Sequence, residues 1–93
     1  MDNSERVAVL ITAYNEAKVI GEILNRISSD YDVYVIDDAS SDNTAEIARE
    51  CGASVVTLPI NLGQGFAAIT GYKVAVLNNY GFIINVFLNF TYN

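Results

Sequence analysis

Four short apolar runs, separated by stretches with a helical pattern, constrain the fold of this 93-residue chain more than any other feature. Each run is rich in β-branched or aromatic side chains and is short enough to be a strand buried on both faces. The runs occupy residues 7–11, 33–36, 53–58 and 82–88. Their alternation with helices predicts the order β-α-β-α-β-α-β, a three-layer α/β domain with a Rossmann-like parallel sheet and right-handed crossovers.

Three helices are predicted between these runs. The first extends from about residue 17 to residue 29, where apolar side chains recur at i, i+3, i+4 and i+7. A capping box of Asn43 and Glu46 begins the second helix, and Gly52 ends it in the left-handed conformation. The third helix follows a flexible, glycine-containing turn at residues 61–65.

Polar residues follow each of the first three strands, and the topology brings them to one place. All strand-to-helix loops of a parallel sheet emerge at its carboxyl edge, where open α/β sheets bind their ligands. We therefore expect the loops at residues 12–16, 37–43 and 59–65 to surround a single crevice. The residues expected around it are Tyr14, Glu16, Asp37, Asp38, Gly63 and Gly65.

Two adjacent carboxylates, Asp37 and Asp38, follow the second run directly. A carboxylate accepts hydrogen bonds from ribose hydroxyls and from base N–H groups, and an acid after the second strand is where a dinucleotide fold binds its ribose. Adjacent side chains at a strand end point in different directions, so only one of the two is expected to face the crevice. The alternative is that both are turn and cap residues, a common role of aspartate.

The first and third loops also allow two interpretations each. Tyr14 offers an aromatic face for a base and Glu16 a carboxylate for its N–H groups, but Glu16 alone also favours a helix N-terminus. Gly63 and Gly65 let the backbone approach a ligand, and the N–H groups at the start of the third helix suit phosphate. Glycine is, however, also the default residue of a turn. No Gly-x-Gly-x-x-Gly follows the first run, which argues against a conventional dinucleotide-binding fold.

The composition excludes several mechanisms and partners. The chain has no histidine, which excludes Ser-His-Asp and Cys-His catalysis. Its formal net charge of −6 argues against nucleic acid or an anionic membrane surface as the main partner. Cys51, the single cysteine, is expected to be a buried structural thiol. No signal peptide or transmembrane run is visible, so a cytoplasmic location is expected.

Three motifs together resemble those of the family 2 glycosyltransferases, which have the GT-A fold. The motifs are residues 12–16 (TAYNE), 35–44 (VIDDASSDNT) and 61–65 (NLGQG). In order and spacing they are most similar to the branch typified by dolichyl-phosphate mannose synthase. The second motif of the family often has glycine where Ala39 stands here.

The resemblance implies the N-terminal half of a GT-A fold, with a site for a UDP- or GDP-linked nucleotide-diphospho-sugar. It implies that Ala13, Tyr14 and Glu16 contact the nucleoside. It further implies that Asp38 contacts the base or the ribose, with Asp37 as a supporting neighbour. The usual reaction of the family transfers the sugar to an acceptor such as a polyprenyl phosphate, at the membrane surface in full-length members.

The resemblance also implies Mg²⁺ or Mn²⁺ held by an Asp-x-Asp motif after the fourth strand, and these ligands are absent from this sequence. No charged residue follows Lys73, and residues 87–93 form a divergent tail rich in asparagine and aromatic residues. We therefore expect residues 1–93 to be one partial domain, a fragment or the product of a frameshift. We expect it to have no catalytic residues and no transferase activity alone.

Two other functions are compatible with the sequence. One is a non-enzymatic α/β module that binds a nucleotide or a partner chain through its open edge. The other is a small nucleotidyltransferase-like enzyme. That enzyme would need a basic, glycine-rich first loop, and residues 12–16 contain neither a basic residue nor a glycine.

Overall fold

The computed structural model describes residues 2–88, in which four parallel strands form one sheet. The strands are β1 (Val7–Ala13), β2 (Asp32–Asp37), β3 (Ser54–Thr57) and β4 (Phe82–Phe87). Their spatial order is β3-β2-β1-β4, and every neighbouring pair is parallel. The predicted fold class is confirmed. Of the predicted divergent tail, Phe87 ends β4 and Leu88 is buried, while residues 89–93 lie outside the described residues.

Three helices connect the strands. They are α1 (Ile20–Asn25), α2 (Thr44–Glu50) and α3 (Gln64–Leu77). The predicted helix over residues 17–29 is therefore too long. The segment before α1 is a turn, in which the carbonyl of Glu16 accepts hydrogen bonds from the N–H groups of Val19 and Ile20. Within residues 2–88, no helix is long and apolar enough to cross a membrane.

The two ends of α2 test two predictions about its caps. Asn43 occupies the N-cap position, but its side chain makes no capping hydrogen bond within residues 2–88, so the predicted capping box is wrong. Asp42 supplies a hydrogen bond at this end of the helix instead: its Oδ1 accepts one of 3.0 Å from the N–H of Thr44. Gly52 has a φ of 91°, which confirms the left-handed residue after the helix. The expectation of a buried Cys51 is wrong: α2 ends at Glu50, and the thiol beyond it is exposed.

Helices cover both faces of the sheet because successive residues of β1 point to opposite sides. Val9 and Ile11 pack on one side against Leu24 of α1 and Ala48 of α2. Leu10 faces α3 on the other side, where a Cβ on Gly71 would lie 3.1 Å from its Cδ1. The buried face of α3 consists of small residues only, namely Ala67, Ala68, Gly71 and Ala75. The helix therefore lies close to the sheet, and its larger apolar side chains point away from the sheet.

A polar network ties the chain together at the amino ends of the strands. Asp32 accepts hydrogen bonds from Arg6 Nε at 2.8 Å and from the Tyr80 hydroxyl at 2.6 Å. The Tyr80 and Tyr34 hydroxyls are 3.0 Å apart, with the two rings edge to face. The hydrogen bonds from Arg6 and Tyr80 lower the pKa of Asp32 to about 2. Burial and the contact with Asp32 raise the pKa of Tyr80.

Candidate functional site

A crevice of about 320 Å³ lies at the carboxyl edge of the sheet, where the loops after β1, β2 and β3 meet. Its lining residues are Thr12, Ala13, Tyr14, Glu16, Asp38, Asn61, Gly63, Gln64 and Leu88. Of the residues expected there from the sequence, the structure brings together Ala13, Tyr14, Glu16, Asp38 and Gly63. Asp37 and Gly65 do not line the crevice.

A larger cavity, of about 410 Å³, lies at the opposite end of the sheet. It includes Asp32, whose two carboxylate oxygens are already hydrogen-bonded to Arg6. Ligands of open α/β sheets bind at the carboxyl edge. The smaller crevice is therefore the better candidate for a functional site.

Asn15 connects the first loop to the second. Its backbone has a φ of 52°, a left-handed conformation that asparagine tolerates better than most residues. Its Oδ1 accepts a hydrogen bond of 2.8 Å from the N–H of Ser41, and its own N–H donates to Ser40 Oγ at 2.8 Å. One residue later, the N–H of Glu16 donates to Thr44 Oγ1 at 2.9 Å. The sequence analysis placed Asn15 in the first loop but did not predict this connection, although asparagine in a loop is a signal for this conformation.

Asp38 connects the second loop to the third. Its side chain is only 4% exposed, and its two carboxylate oxygens accept hydrogen bonds from the N–H groups of Leu62 and Gly63, each at 2.8 Å. Asn61 Nδ2 donates to the Asp38 carbonyl at 3.1 Å. The N–H groups of Leu62 and Gly63 are therefore engaged by Asp38 and are not free for a phosphate. Each carboxylate oxygen keeps a second lone pair for another donor.

Asp37 has a local role in the turn that follows β2. It is buried, and its Oδ1 accepts a hydrogen bond of 3.1 Å from the N–H of Ser40. Between them, Ala39 has a φ of 62°, a conformation that suits glycine better than alanine. Asp37 thus shapes the turn and lies outside the crevice. This agrees with the interpretation as a turn residue for Asp37, but not for Asp38.

Tyr14 and Glu16 differ in how they meet the crevice. The Tyr14 side chain is 48% exposed, so its ring is accessible at the crevice wall. Burial raises the pKa of Glu16, and the neighbouring charge of Asp42 raises it further. Both effects penalise the charged carboxylate. A ligand that donates an N–H or O–H to Glu16 relieves this penalty.

Thr12 is a crevice residue within the predicted first loop that the sequence analysis did not name as a site residue. It is 2% exposed, and its Oγ1 is buried without a hydrogen-bond partner among residues 2–88. A buried hydroxyl without a partner costs about 1–3 kcal/mol. The available signal was a hydroxyl residue at the end of an otherwise apolar strand, directly before the polar loop.

The residues of the crevice do not suit a divalent metal ion by themselves. Residues 2–88 contain no cluster of three or more His, Cys, Asp or Glu side chains that could hold one. The two carboxylates that line the crevice are Glu16 and Asp38, and the latter already accepts two backbone hydrogen bonds. All eleven acidic residues of the chain lie within residues 2–50, so none follows β4.

Comparison with known proteins assigns the family. Residues 8–84 match the family model described as glycosyl transferase family 2. The chain belongs to this family. An uncharacterized protein of Methanocaldococcus jannaschii is 39% identical over 77 residues, which cover 81% of this chain and 32% of that protein. The undecaprenyl-phosphate 4-deoxy-4-formamido-L-arabinose transferase of Edwardsiella ictaluri is 35% identical over 80 residues, covering 72% of this chain and 25% of the transferase.

A solved structure extends the similarity to the fold. The mannosyltransferase PcManGT of Pyrobaculum calidifontis, in complex with GDP-Man and Mn²⁺, superimposes with a TM-score of 0.68 and 27% sequence identity. The superposition covers 80% of this family 2 chain and 26% of the mannosyltransferase. The chain thus spans about a third or less of the length of these three proteins.

Proposed function

We propose that the crevice binds the nucleotide-diphospho-sugar donor of a family 2 glycosyltransferase, linked to UDP or GDP. The observation that carries this proposal is the fixed meeting of three loops, in which Asn15 and Asp38 hold the walls of one crevice. A preorganised pocket into which several polar groups converge is typical of a small-molecule site. The GDP-Man bound to the similar mannosyltransferase supports a nucleotide sugar as the ligand.

Different residues of the crevice contact different parts of the nucleoside. The exposed ring of Tyr14 stacks on the base, and the carboxylate of Glu16 accepts a hydrogen bond from it. Asp38 accepts a further hydrogen bond from the base or ribose through its remaining lone pairs. Ala13 and Gly63 present small surfaces that let the nucleoside approach the backbone. Asp37 acts indirectly, through the turn that places Asp38.

The diphosphate lies outside the part of the crevice lined by Glu16 and Asp38. These are the charged residues among its lining, and both are acidic, so a diphosphate is repelled there. The neutral nucleoside is not repelled, and it brings the hydroxyl and N–H donors that carboxylates accept.

The proposed reaction class is sugar transfer to a polyprenyl phosphate, in the branch of dolichyl-phosphate mannose synthase. The similar Edwardsiella protein is named as an undecaprenyl-phosphate transferase, which supports a lipid phosphate acceptor. Such an acceptor places the reaction of full-length relatives at the membrane surface.

Residues 1–93 alone bind the donor without transferring its sugar. Departure of the nucleoside diphosphate develops negative charge, which a metal ion stabilises in this kind of chemistry. Among residues 2–88, no third carboxylate lines the crevice for such an ion, and no acidic residue follows Glu50 in the given sequence. We therefore expect a partial domain that holds the donor only.

The second candidate function is a binding module that takes a nucleotide without any link to sugar transfer. It is favoured by the engagement of Asp38 within the protein, which makes this residue structural. Chemical-shift mapping of backbone amides with UDP, GDP and their sugar conjugates tests both. Shifts centred on Tyr14, Glu16 and Gly63 support the proposed site. Shifts centred on Ser54, in the cavity at the opposite end, contradict it.

A further inference from the structure

Asp42 and Thr44 belong to the second of the three sequence motifs but do not line the crevice. Thr44 is the first residue of α2 and is fully buried, whereas Asp42 is exposed. Earlier in the same motif, Asp37 shapes the turn and Asp38 lines the crevice. The role of the later part of the motif follows from the hydrogen bonds that Asp42 and Thr44 make.

Both peptide groups that flank Glu16 donate hydrogen bonds to these two side chains. The N–H of Glu16 donates to Thr44 Oγ1 at 2.9 Å, and the N–H of Ala17 donates to Asp42 Oδ2 at 3.3 Å. The Thr44 hydroxyl donates its own proton to Asp42 Oδ1. The four residues therefore form a closed ring of hydrogen bonds between the first loop and the start of α2.

The ring fixes the Thr44 hydroxyl as an acceptor. A threonine hydroxyl has one proton and two lone pairs. Because the proton is given to Asp42, a lone pair is directed at the N–H of Glu16. Thr44 is also β-branched and 0% exposed, so its side chain has little freedom to turn away.

The same ring fixes the direction in which the Glu16 side chain leaves the backbone. Each peptide group is planar, so two fixed peptide groups define the φ and ψ of the residue between them. Glu16 lines the crevice, but burial and the charge of Asp42 raise the pKa of its carboxyl. Both effects favour a carboxylate displaced towards solvent. A fixed backbone at Glu16 opposes that displacement.

We propose that Thr44 and Asp42 are positioning residues, which hold Glu16 at the crevice so that its carboxylate meets the base of the nucleotide. They act through the backbone of Glu16 and do not touch the ligand. This inference rests on the proposed function, in which Glu16 accepts a hydrogen bond from the base. It adds that binding of the base depends on a hydroxyl at the start of α2, outside the crevice.

Thr44→Val in the full chain tests the proposal, because valine is similar in shape to threonine but has no hydroxyl. We expect the Glu16 amide proton to exchange with solvent at least about tenfold faster. We expect UDP or GDP to bind about three- to tenfold more weakly in calorimetry. Thr44→Ser retains the hydroxyl and should keep the affinity within about twofold of the original chain.

Thr70→Val is the matched control, because it removes a hydroxyl from a threonine that does not line the crevice. The Thr70 hydroxyl donates to the carbonyl of Phe66 at 3.2 Å, within α3. We expect this variant to change neither the exchange of the Glu16 amide nor the affinity for UDP or GDP.

A double-mutant cycle separates positioning from a general effect on the fold. In Glu16→Ala no carboxylate remains to be positioned, so adding Thr44→Val should weaken binding by less than about twofold. The full further loss in this background would show that Thr44 acts on another part of the molecule, and it would overturn the proposal. Unchanged affinity in Thr44→Val alone would also overturn it.

Far-UV circular dichroism checks that each variant is folded. If Thr44→Val fails to fold, Asp42→Asn replaces it, because Asp42 is exposed and asparagine has only one acceptor oxygen for the donors of Thr44 and Ala17. The same loss of affinity is then expected, and unchanged affinity overturns the proposal. If the original chain binds neither UDP nor GDP, the proposed function itself fails. If it binds them and the variants do so equally well, only the positioning role fails.

Discussion

Asp38 stabilises the fold and also lines the candidate site. Its carboxylate fixes the N–H groups of Leu62 and Gly63, and its position directly after β2 places it in the crevice. The sequence predicted an acid at this edge, because apolar strands and polar loops are local patterns. It could not predict which N–H groups the acid binds, since these come from a loop more than twenty residues away.

The variant Asp38→Asn tests this dual role. One of its two N–H partners loses its acceptor, so we expect a loss of about 1–3 kcal/mol in the free energy of unfolding. We also expect weaker nucleotide binding. Asp37→Asn is the matched control, because within residues 2–88 the Asp37 carboxylate accepts a hydrogen bond from the N–H of Ser40 alone, and Asp37 lies outside the crevice. Urea denaturation measures both variants, and equal losses would contradict the role given to Asp38.

Ala39 has a backbone conformation that is unfavourable for alanine. With its φ of 62°, the alanine side chain is close to the backbone, and glycine removes this strain. Part of the gain is cancelled because glycine is more flexible in the unfolded chain. We expect Ala39→Gly to raise the free energy of unfolding by up to about 1 kcal/mol. A clear destabilisation in thermal unfolding would show that the turn is not strained.

At the scale of elements, the order of strands and helices was predictable, but the helix ends were not. Hydrophobic periodicity continues past Asn25, yet α1 ends there, and Gly21 lowers its helical stability. The start of α2 also differs, since Asn43 makes no capping hydrogen bond within residues 2–88 and Asp42 accepts one from the N–H of Thr44 instead. Such choices depend on contacts between elements, which a local pattern does not contain.

The network at the amino ends of the strands predicts a dependence of stability on pH. The folded-state pKa of Asp32 is lowered from 3.8 to about 2, so its stabilising effect is complete above the unfolded-state pKa. It is lost as the pH falls from about 4 to 2. We expect Asp32→Asn to be less stable than the original chain at neutral pH, with the difference shrinking over this acidic range. Denaturation at a series of pH values measures it. A difference that stays constant would rule out this source of stability.

At the scale of the whole molecule, the sequence predicted the sheet and the meeting of its loops, because alternating elements fix the topology of a parallel sheet. It did not predict that the large apolar residues of α3 face outwards. Periodicity identifies a helix with an apolar stripe, but in α3 the small residues Ala67, Gly71 and Ala75 pack on the sheet instead. The size of the side chains, rather than their polarity, decides which face lies close to the strands.

Isothermal titration calorimetry with GDP, UDP and their sugar conjugates, with and without Mn²⁺, tests the central claim most directly. On the proposed function the crevice holds a nucleoside, and residues 2–88 contain no cluster of three or more metal-ligating side chains, so we expect binding that is weak, saturable and independent of Mn²⁺. Glu16→Gln should weaken this binding, while Glu46→Gln, on α2 and outside the crevice lining, should not. No heat of binding with any of these nucleotides, or binding that Glu16→Gln leaves unchanged, would contradict a nucleotide site at this edge of the sheet.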